Sequence, residues 1–551
     1  MNAAASTAPA ASVGLEGADG PGARLPRWWP LAAITLLAAA LRLSTLGLQS
    51  FWYDEAFTPV HVLHPSLWAT LRSVVHTENT PPLWYVLAWA DSRVLGTGAI
   101  ALRLPSALAG IATVPVAWAI ARELAGRRAA ILCAAIVAVN PLFVWYSQEA
   151  RAYGLFVVLA AVAMLCLLRA EGDPTPRHMA AFALSGAAAL LTHYFAVFLL
   201  IPMVLWTLLR GWSARSSASR RAALSAIGAL VLVGLALLPL ISAQGGHGTQ
   251  WIGRWPISER LQAIPQYFLT GYSGAPLGHG VELLVALVVL SGVGLGAWRI
   301  MAAPAGTASE EAPAPATANA GRAPDANADA DTERERGRER ERCSGARRGA
   351  LIALAIAAGG VLTPIVLAGL GADYLAPRNL VAAMIPVTAA IAVLAAVAGD
   401  TRAGAGIAAV IVLAFLAISL DVDLSPRLQR GNWRDVAGAL RGASVGRAIT
   451  TVELGAAPLE YYLPGLHNLR AGESVRVSEI DETGYAPLRA SAGDPPAPGF
   501  RLLARLDFDG LIVYRFRSAR ARPVSEAALR RHVITLAHPE VLVPGATQAS
   551  A

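Results

Sequence analysis

The chain has 551 residues, of which 55% are apolar and 15% charged, and its net charge is +8. A soluble globular chain averages about 45–50% apolar and about 25% charged residues, so this composition argues against a cytosolic enzyme. No lysine occurs anywhere, which removes a P-loop lysine, a Schiff-base lysine and a lysine general base.

In chain order, residues 1–28 are small, polar and Gly/Ala-rich. They lack the compact charged-then-apolar pattern of a cleaved signal peptide and read as a disordered cytoplasmic N-terminus. Apolar runs follow near 29–46, 101–121, 129–146, 152–168, 179–193, 194–210, 222–242, 279–299, 349–370, 379–398 and 405–420. The length rule for bilayer crossing gives about eleven spans. The first follows Arg24 and Arg27 and is read as uncleaved. Residues 81–96 carry only about ten apolar residues before Asp91, Ser92 and Arg93, too few to cross. They predict a helix lying on the membrane surface or dipping into it. With that helix kept outside, Arg122, Arg127, Arg128, Arg169, Arg177, Arg210, Arg215, Arg220 and Arg221 all fall in cytoplasmic loops, in keeping with the positive-inside rule. The basic balance is therefore assigned to topology, and no nucleic-acid partner is expected.

Residues 302–348 run from Ala/Pro-rich sequence into RERERGRERER and read as a disordered charged cytoplasmic linker. A short solvated helix with Glu–Arg pairs is the alternative. Spans return at 349–420. From 421 to 551 charged residues reappear, with strand-like runs at 447–453, 474–480, 500–506 and 510–516 and helical stretches at 432–441 and 524–532. This predicts a small extracytoplasmic α/β domain. The expected fold is thus an α-helical polytopic membrane protein carrying that domain. The module 29–301 is expected to hold the chemistry, with outer loops 47–100 and 243–278.

Four of the predicted outer segments carry unusual residues. FWYDEAF places Asp54 and Glu55 beside Trp52 and Tyr53 just after the first span. Carboxylates at a membrane boundary cost desolvation energy, and one there can take a proton from a hydroxyl nucleophile. HTENTPPLWY sets a rigid turn at Pro81-Pro82, with His76 and Glu78 as lining candidates. PLFVWYSQEARAYG brings Tyr146, Glu149 and Arg151 to the end of the third span; an acid and an arginine there can hold a sugar hydroxyl and a phosphate, or pair with each other. GADYLAPRNL offers Tyr374 and Arg378, and RLPSALAG offers Arg103. Arginine on the outer side runs against the charge bias, so a bound phosphate or lipid headgroup is expected to hold each one. The loop 245–268 adds Trp251 as a candidate for a sugar face or an isoprenoid chain, with belt anchoring as the alternative. His247 has no partner at ligand spacing, and Cys133, Cys166 and Cys343 suggest neither disulfide nor metal spacing. No cofactor is expected, and no metal ligands are assigned; a divalent metal is compatible but not indicated.

Taken together, the pair Asp54-Glu55, Pro81-Pro82, RLPSALAG at 103–110, NPLFVWYSQEARAY at 140–153, YLAPRNL at 374–380 and NWRDVAGAL at 432–440 resemble the GT-C glycosyltransferases of glycosyltransferase family 39. That group includes protein O-mannosyltransferases and lipid A aminoarabinose transferases. The resemblance implies a polyprenyl-phosphate-linked sugar donor and transfer outside a bacterial cytoplasmic membrane, usually with inversion. The acceptor would be a hydroxyl of a lipid, protein or glycan. It makes Asp54 the general base and gives Glu55 and Glu149 substrate-positioning roles. Arg378, with Arg151 and Arg103, would clamp the donor phosphate, and Tyr374 would join them. Relatives often carry aspartate where this chain has Glu149. A lipid-linked sugar transporter is the alternative class, and Trp433, Arg434 and Asp435 could equally dock the C-terminal domain.

Overall fold

The computed structural model describes residues 28–171, 174–212, 216–245, 250–271, 278–302, 325–441, 446–532, 534–535 and 538–545. The expected disordered N-terminus, apart from Trp28, and residues 303–324 of the expected linker lie outside these. In chain order the helices are α1 (Trp29–Leu43), α2 (Tyr53–Phe57), α3 (Leu67–Thr77), α4 (Leu83–Leu95), α5 (Ala99–Ala125), α6 (Arg127–Val139), α7 (Pro141–Ser147), α8 (Tyr153–Arg169), α9 (Pro176–Thr192), α10 (Ala196–Trp212), α11 (Ser217–Gln244), α12 (Gln250–Arg254), α13 (Ile257–Thr270), α14 (His279–Ala302) and α15 (Asp325–Gly369). A 3-10 turn at Pro377–Ala383 leads into α16 (Met384–Ala398) and α17 (Arg402–Leu424).

The eleven apolar runs are helical, with 129–146 divided between α6 and α7 and 379–398 beginning in the 3-10 turn before α16. Among the described residues, six helices are long and apolar enough to cross a bilayer, or seven if the bent pair α6 and α7 is one span; α1, α8 and most of α10 are shorter apolar helices. The surface of these helices is itself apolar: Leu232, Leu283, Leu290 and Leu413 are all exposed. In water that surface would be an aggregation hazard; against lipid it is satisfied. The chain is a multi-pass membrane protein. The stretch 81–96 folds as α4, only 13 residues long and packed against α3, α5 and α9. One expectation changes in form: from Asp325 the charged linker is helical and runs unbroken into the span of α15, as the solvated-helix alternative has it. Arg299 pairs with Glu339 of this extension at 2.8 Å.

The arginine-rich connections gather at one end of the bundle. Arg169 pairs with Glu123, and Arg210 and Arg348 both reach Glu171; Arg128 pairs with Asp400. The alternate connections meet at the other end.

The bend between α6 and α7, 56°, is written in the sequence as Asn140-Pro141. Pro141 has no N–H, which frees the Val137 carbonyl. The Asn140 side chain accepts from the Leu142 and Phe143 amides, which frees the next two carbonyls. Unsatisfied backbone groups are costly inside a membrane. Arg42 of α1 fills two of the gaps, donating to Val137 at 3.1 Å and Ala138 at 2.8 Å. Ser419 donates to the third, Val139, at 2.7 Å. The bend aims α7 so that residues 148–151 reach the bundle end opposite the arginine-rich connections.

The C-terminal domain begins with α18 (Trp433–Leu440), followed by β1 (Arg447–Thr451), α19 (Ala456–Tyr462), β2 (Leu466–Asn468), β3 (Ser474–Tyr485), β4 (Arg501–Phe508), β5 (Leu511–Ser525), α20 (Glu526–Arg531) and β6 (Glu540–Pro544). The strand order is β2-β6-β1-β3-β5-β4, with β1 and β3 parallel and the other neighbours antiparallel. The predicted strands and helices correspond to β1, β3, β4, β5, α18 and α20, whereas β2, β6 and α19 are additions. The domain sits on the loop after α1. Trp433 is fully buried, its amide donates to Ser50 Oγ at 3.0 Å, and Ser50 Oγ donates to the Gly431 carbonyl at 2.7 Å. Arg434 donates to the Gly47 carbonyl, and the Phe51 amide donates to Tyr462. Trp433 and Arg434 therefore do dock this domain.

Close helix packing in the bundle rests on small residues. A Cβ on Gly296 of α14 would lie 2.0 Å from the Leu394 carbonyl of α16, while one on Gly294 meets nothing within 4 Å. Gly296→Ile is expected to lower the Tm of the detergent-solubilised protein by several degrees, and Gly294→Ile to leave it unchanged; thermal unfolding of the two variants side by side checks this.

Candidate active site

The site is built on charges that the fold buries. Arg103, in the first turns of α5, uses all five of its N–H donors: Nε and Nη2 hold the two Glu55 oxygens at 2.7 and 2.6 Å, and the others reach the carbonyls of Leu46, Gln49 and Ser50. Glu55 also accepts from the Ala150 amide at 2.8 Å. Arg430, in the connector after α17, lies 3.8 Å from Glu55 and 3.4 Å from Glu149. It also donates to Gln49 Oε1 and the Trp145 carbonyl and stacks over the Trp145 ring at 4.1 Å. Arg103, Glu55, Arg430 and Glu149 thus form an alternating buried chain, each of them less than 5% exposed. Burial pushes the Glu149 carboxyl up to about 7, with the Arg430 guanidinium pulling the other way.

In front of this chain lies a cavity of about 610 Å³, in the size range of small-molecule sites. Asp54 reaches it from α2, Arg151 from the loop before α8, and Arg378 from the 3-10 turn. His193 reaches it from the α9–α10 break, and Arg254 from α12. Glu453 and Leu454 of the C-terminal domain close one side. Arg378 Nη1 pairs with Asp54 Oδ2 at 3.0 Å. Arg151 pairs with Glu78 at 3.2 Å and donates to the Asp54 carbonyl at 3.4 Å. Glu78 accepts a 2.5 Å hydrogen bond from Tyr85. His193 is packed between Tyr153, Phe156 and Phe195.

The sequence candidates divide accordingly. Tyr53, Asp54, Arg151 and Arg378 line the cavity together. Arg103 does not: its donors are spent on Glu55 and the loop after α1, so the expected phosphate contact has no atom left to make it. Glu55 and Glu149 stand behind the cavity and fix the residues around it rather than touching a ligand. Trp52 packs in the core shared with Trp433 of the docked domain. Tyr146 is buried against Tyr153 at 4.7 Å between ring centroids, a layer behind the wall. His76 is exposed on α3, and its neighbours Thr77 and Glu78 line the cavity instead. Tyr374 lies 5.7 Å from the Phe195 ring and outside the lining. The Trp251 side chain falls outside the described residues; Ile252, Arg254 and Trp255 of the same segment line the cavity. Among the described residues, no three His, Cys, Asp or Glu side chains cluster closely enough to hold a metal. Arg430, His193 and Tyr153 enter the site with no sequence signal singling them out. Glu78 stood beside His76 as a candidate, and Arg254 shared the segment of Trp251.

Residues 79–238 match the family model described as dolichyl-phosphate-mannose-protein mannosyltransferase. This match bears out the resemblance to GT-C glycosyltransferases carried by the sequence motifs. It includes Arg151, Tyr153 and His193, while Asp54 and Arg378 lie outside it. No curated protein matches the chain. Among solved structures, the archaeal oligosaccharyltransferase AglB from Archaeoglobus fulgidus, in complex with an inhibitory peptide and a dolichol-phosphate, is 14% identical with a TM-score of 0.42. The alignment covers 75% of this chain, which spans 57% of the length of that protein. ArnT from Cupriavidus metallidurans in the apo state is 13% identical, with a TM-score of 0.38 and coverage of 88% of this chain and 97% of that one.

Removing one partner of a buried ion pair costs about 3–5 kcal/mol, because the other charge is left unpaired. Arg103→Ala is therefore expected to collapse the yield of folded protein, and adding Glu55→Gln in the same chain to restore part of it. Size-exclusion profiles and Tm values of the single and double variants check the coupling.

Proposed function

We propose that this protein is an integral-membrane glycosyltransferase that moves a sugar, mannose or another hexose or pentose, from a polyprenyl-phosphate donor to an acceptor hydroxyl, with inversion. The observation that carries the reading is the meeting of the Asp54 carboxylate with the guanidinium groups of Arg151, Arg254 and Arg378 in one cavity. Guanidinium binds phosphate through paired, charge-assisted hydrogen bonds. Arg378 is engaged with Asp54, and in this scheme an arriving donor phosphate takes Asp54's place on Arg378. The freed carboxylate accepts the proton of the acceptor hydroxyl. The acceptor oxygen bonds to the anomeric carbon as the carbon–oxygen bond to phosphate breaks, and the electron pair leaves with the polyprenyl phosphate. That leaving group departs as an anion, so the arginines that stabilise it replace a strong general acid.

The match of residues 79–238 to a dolichyl-phosphate-mannose-protein mannosyltransferase model supports a lipid-carried sugar. The acceptor is a lipid, protein or glycan hydroxyl. The arginine-rich end of the bundle supports a cytoplasmic N-terminus in a bacterial cytoplasmic membrane, with the cavity and the C-terminal domain outside. A transporter would place its ionisable residues near the bilayer midplane; here they stand at helix ends.

In membranes supplied with a panel of polyprenyl-phosphate sugars, Asp54→Asn should reduce transfer by about 100-fold or more with an unchanged Tm. Retained activity would remove Asp54 as base. Arg378→Ala should weaken polyprenyl-phosphate binding by about tenfold, and an unaltered Kd would exclude Arg378 from the clamp. For orientation, a cysteine placed at the exposed Arg93 of α4 should react with an impermeant maleimide in intact cells; labelling only after lysis would invert the topology.

A further inference from the structure

The second half of α11 is apolar from Ala226 to Ile241 and the helix ends at Gln244. Ile241, Ser242 and Ala243 are exposed, whereas Gln244 is only 3% exposed. A buried amide is tolerated when its donors and its acceptor are met, and those of Gln244 are. Nε2 donates to the Val74 carbonyl at 2.9 Å and to the Thr80 carbonyl at 3.1 Å. Oε1 accepts from the Tyr194 hydroxyl at 2.6 Å. One side chain of a membrane helix thus holds two segments distant in sequence, the connection between α3 and α4 and the break between α9 and α10.

Val74 lies in the last turn of α3, and Thr80 in the connection that follows. The two bonds therefore bracket Thr77, Glu78 and Asn79, which line the cavity together with Thr80. Gln244 fixes the backbone of this connection, while Tyr85 of α4 fixes its side chains: the Tyr85 hydroxyl donates to Glu78 at 2.5 Å and stands 3.0 Å from Thr80 Oγ1. The Glu78 carboxylate in turn aims Arg151 through two long contacts of 3.2 and 3.5 Å. Removing the amide would leave two carbonyls short of a donor, and the connection would shift to satisfy them. Glu78 would move with it. An arginine aimed before its ligand arrives gives up less side-chain freedom on binding than one that must first be ordered.

We infer that Gln244 is a positioning residue for the donor phosphate, acting by holding the Glu78–Arg151 pair toward the cavity without touching the ligand itself. This role rests on the transferase reading, in which Arg151 is one of the arginines that take the phosphate. It gives α11 a part in donor binding, although none of its residues is in the cavity lining.

Polyprenyl-phosphate affinity of the full chain in nanodiscs tests this in a double-mutant cycle. Gln244→Met keeps the length and bulk of the side chain and removes both donors and the acceptor. It should weaken polyprenyl phosphate about tenfold. In an Arg151→Ala chain the same substitution should change affinity by less than about twofold, because the group it acts through is gone. In an Arg378→Ala chain the tenfold loss should persist. A loss of equal size in the Arg151→Ala chain would reduce Gln244 to general support of the fold and overturn the inference. A loss that vanishes in the Arg378→Ala chain, or an unchanged affinity in the single variant, would overturn it as well. Gln244→Glu covers the case in which the methionine variant does not fold. It keeps the acceptor for Tyr194 and offers at most one donor in place of two, so a smaller loss with the same dependence on Arg151 is expected, and an unchanged affinity would again overturn the role. A wild type that fails to bind polyprenyl phosphate would instead bring down the transferase reading, and the positioning role with it.

Discussion

The rest of the site depends on the buried alternation of Arg103, Glu55, Arg430 and Glu149. Ionisable groups taken out of water are tolerable only when paired: among the described residues, Arg103, Glu55 and Arg430 each meet an opposite charge and further hydrogen bonds, whereas Glu149 meets Arg430 alone. The arrangement draws on four separate parts of the chain: the segment after α1, the first turns of α5, the loop between α7 and α8, and the connector after α17. Asp54 is covalently next to Glu55, and Arg151 is two residues from Glu149. Fixing the buried acids therefore fixes the partly buried Asp54 and Arg151 in front of them. Arg430 has a second consequence. It lies just before the segment that docks on Ser50, so the membrane module and the C-terminal domain are joined through the same buried charges that order the cavity.

With arginine the one strongly basic side chain, the protein uses it for three separate tasks. At one end of the bundle arginines are exposed or half-exposed and pair weakly with carboxylates. Inside, Arg42, Arg103 and Arg430 act as multi-donor hubs for backbone carbonyls and buried acids, a task suited to a planar five-donor group. At the cavity, Arg378 and Arg151 hold the partly buried carboxylates of Asp54 and Glu78. Net charge alone distinguishes none of these; burial and partner do.

That division also explains what was legible in the sequence. Apolar run length located the helices, and the alternation of arginine-bearing with arginine-poor connections located the site's end of the bundle. Asp54, Arg151 and Arg378 stood out because they are charged residues at span boundaries. The same criterion selected Arg103, whose donors are all consumed inside the fold. An arginine at a span end looks alike in sequence whether it faces a cavity or a buried glutamate. Arg430 shows the converse: it sits among Arg427, Gln429 and Asn432 in a polar connector, and only the packing of that connector beneath the docked domain buries it. His193 is not singled out in the sequence because only Phe195 of its aromatic cage is near it there; Tyr153 and Phe156 come from α8. The charged linker read as disordered, because low hydrophobicity alone does not register that α15 extends it from a nucleated span.

The central claim is that a polyprenyl phosphate enters the cavity by displacing Asp54 from Arg378. A cryo-electron microscopy map of the full chain in nanodiscs with polyprenyl phosphate tests it most directly. Phosphate density is expected within hydrogen-bonding distance of Arg378, with the Asp54–Arg378 pair opened. Phosphate density elsewhere, with the 3.0 Å pair intact, would contradict it.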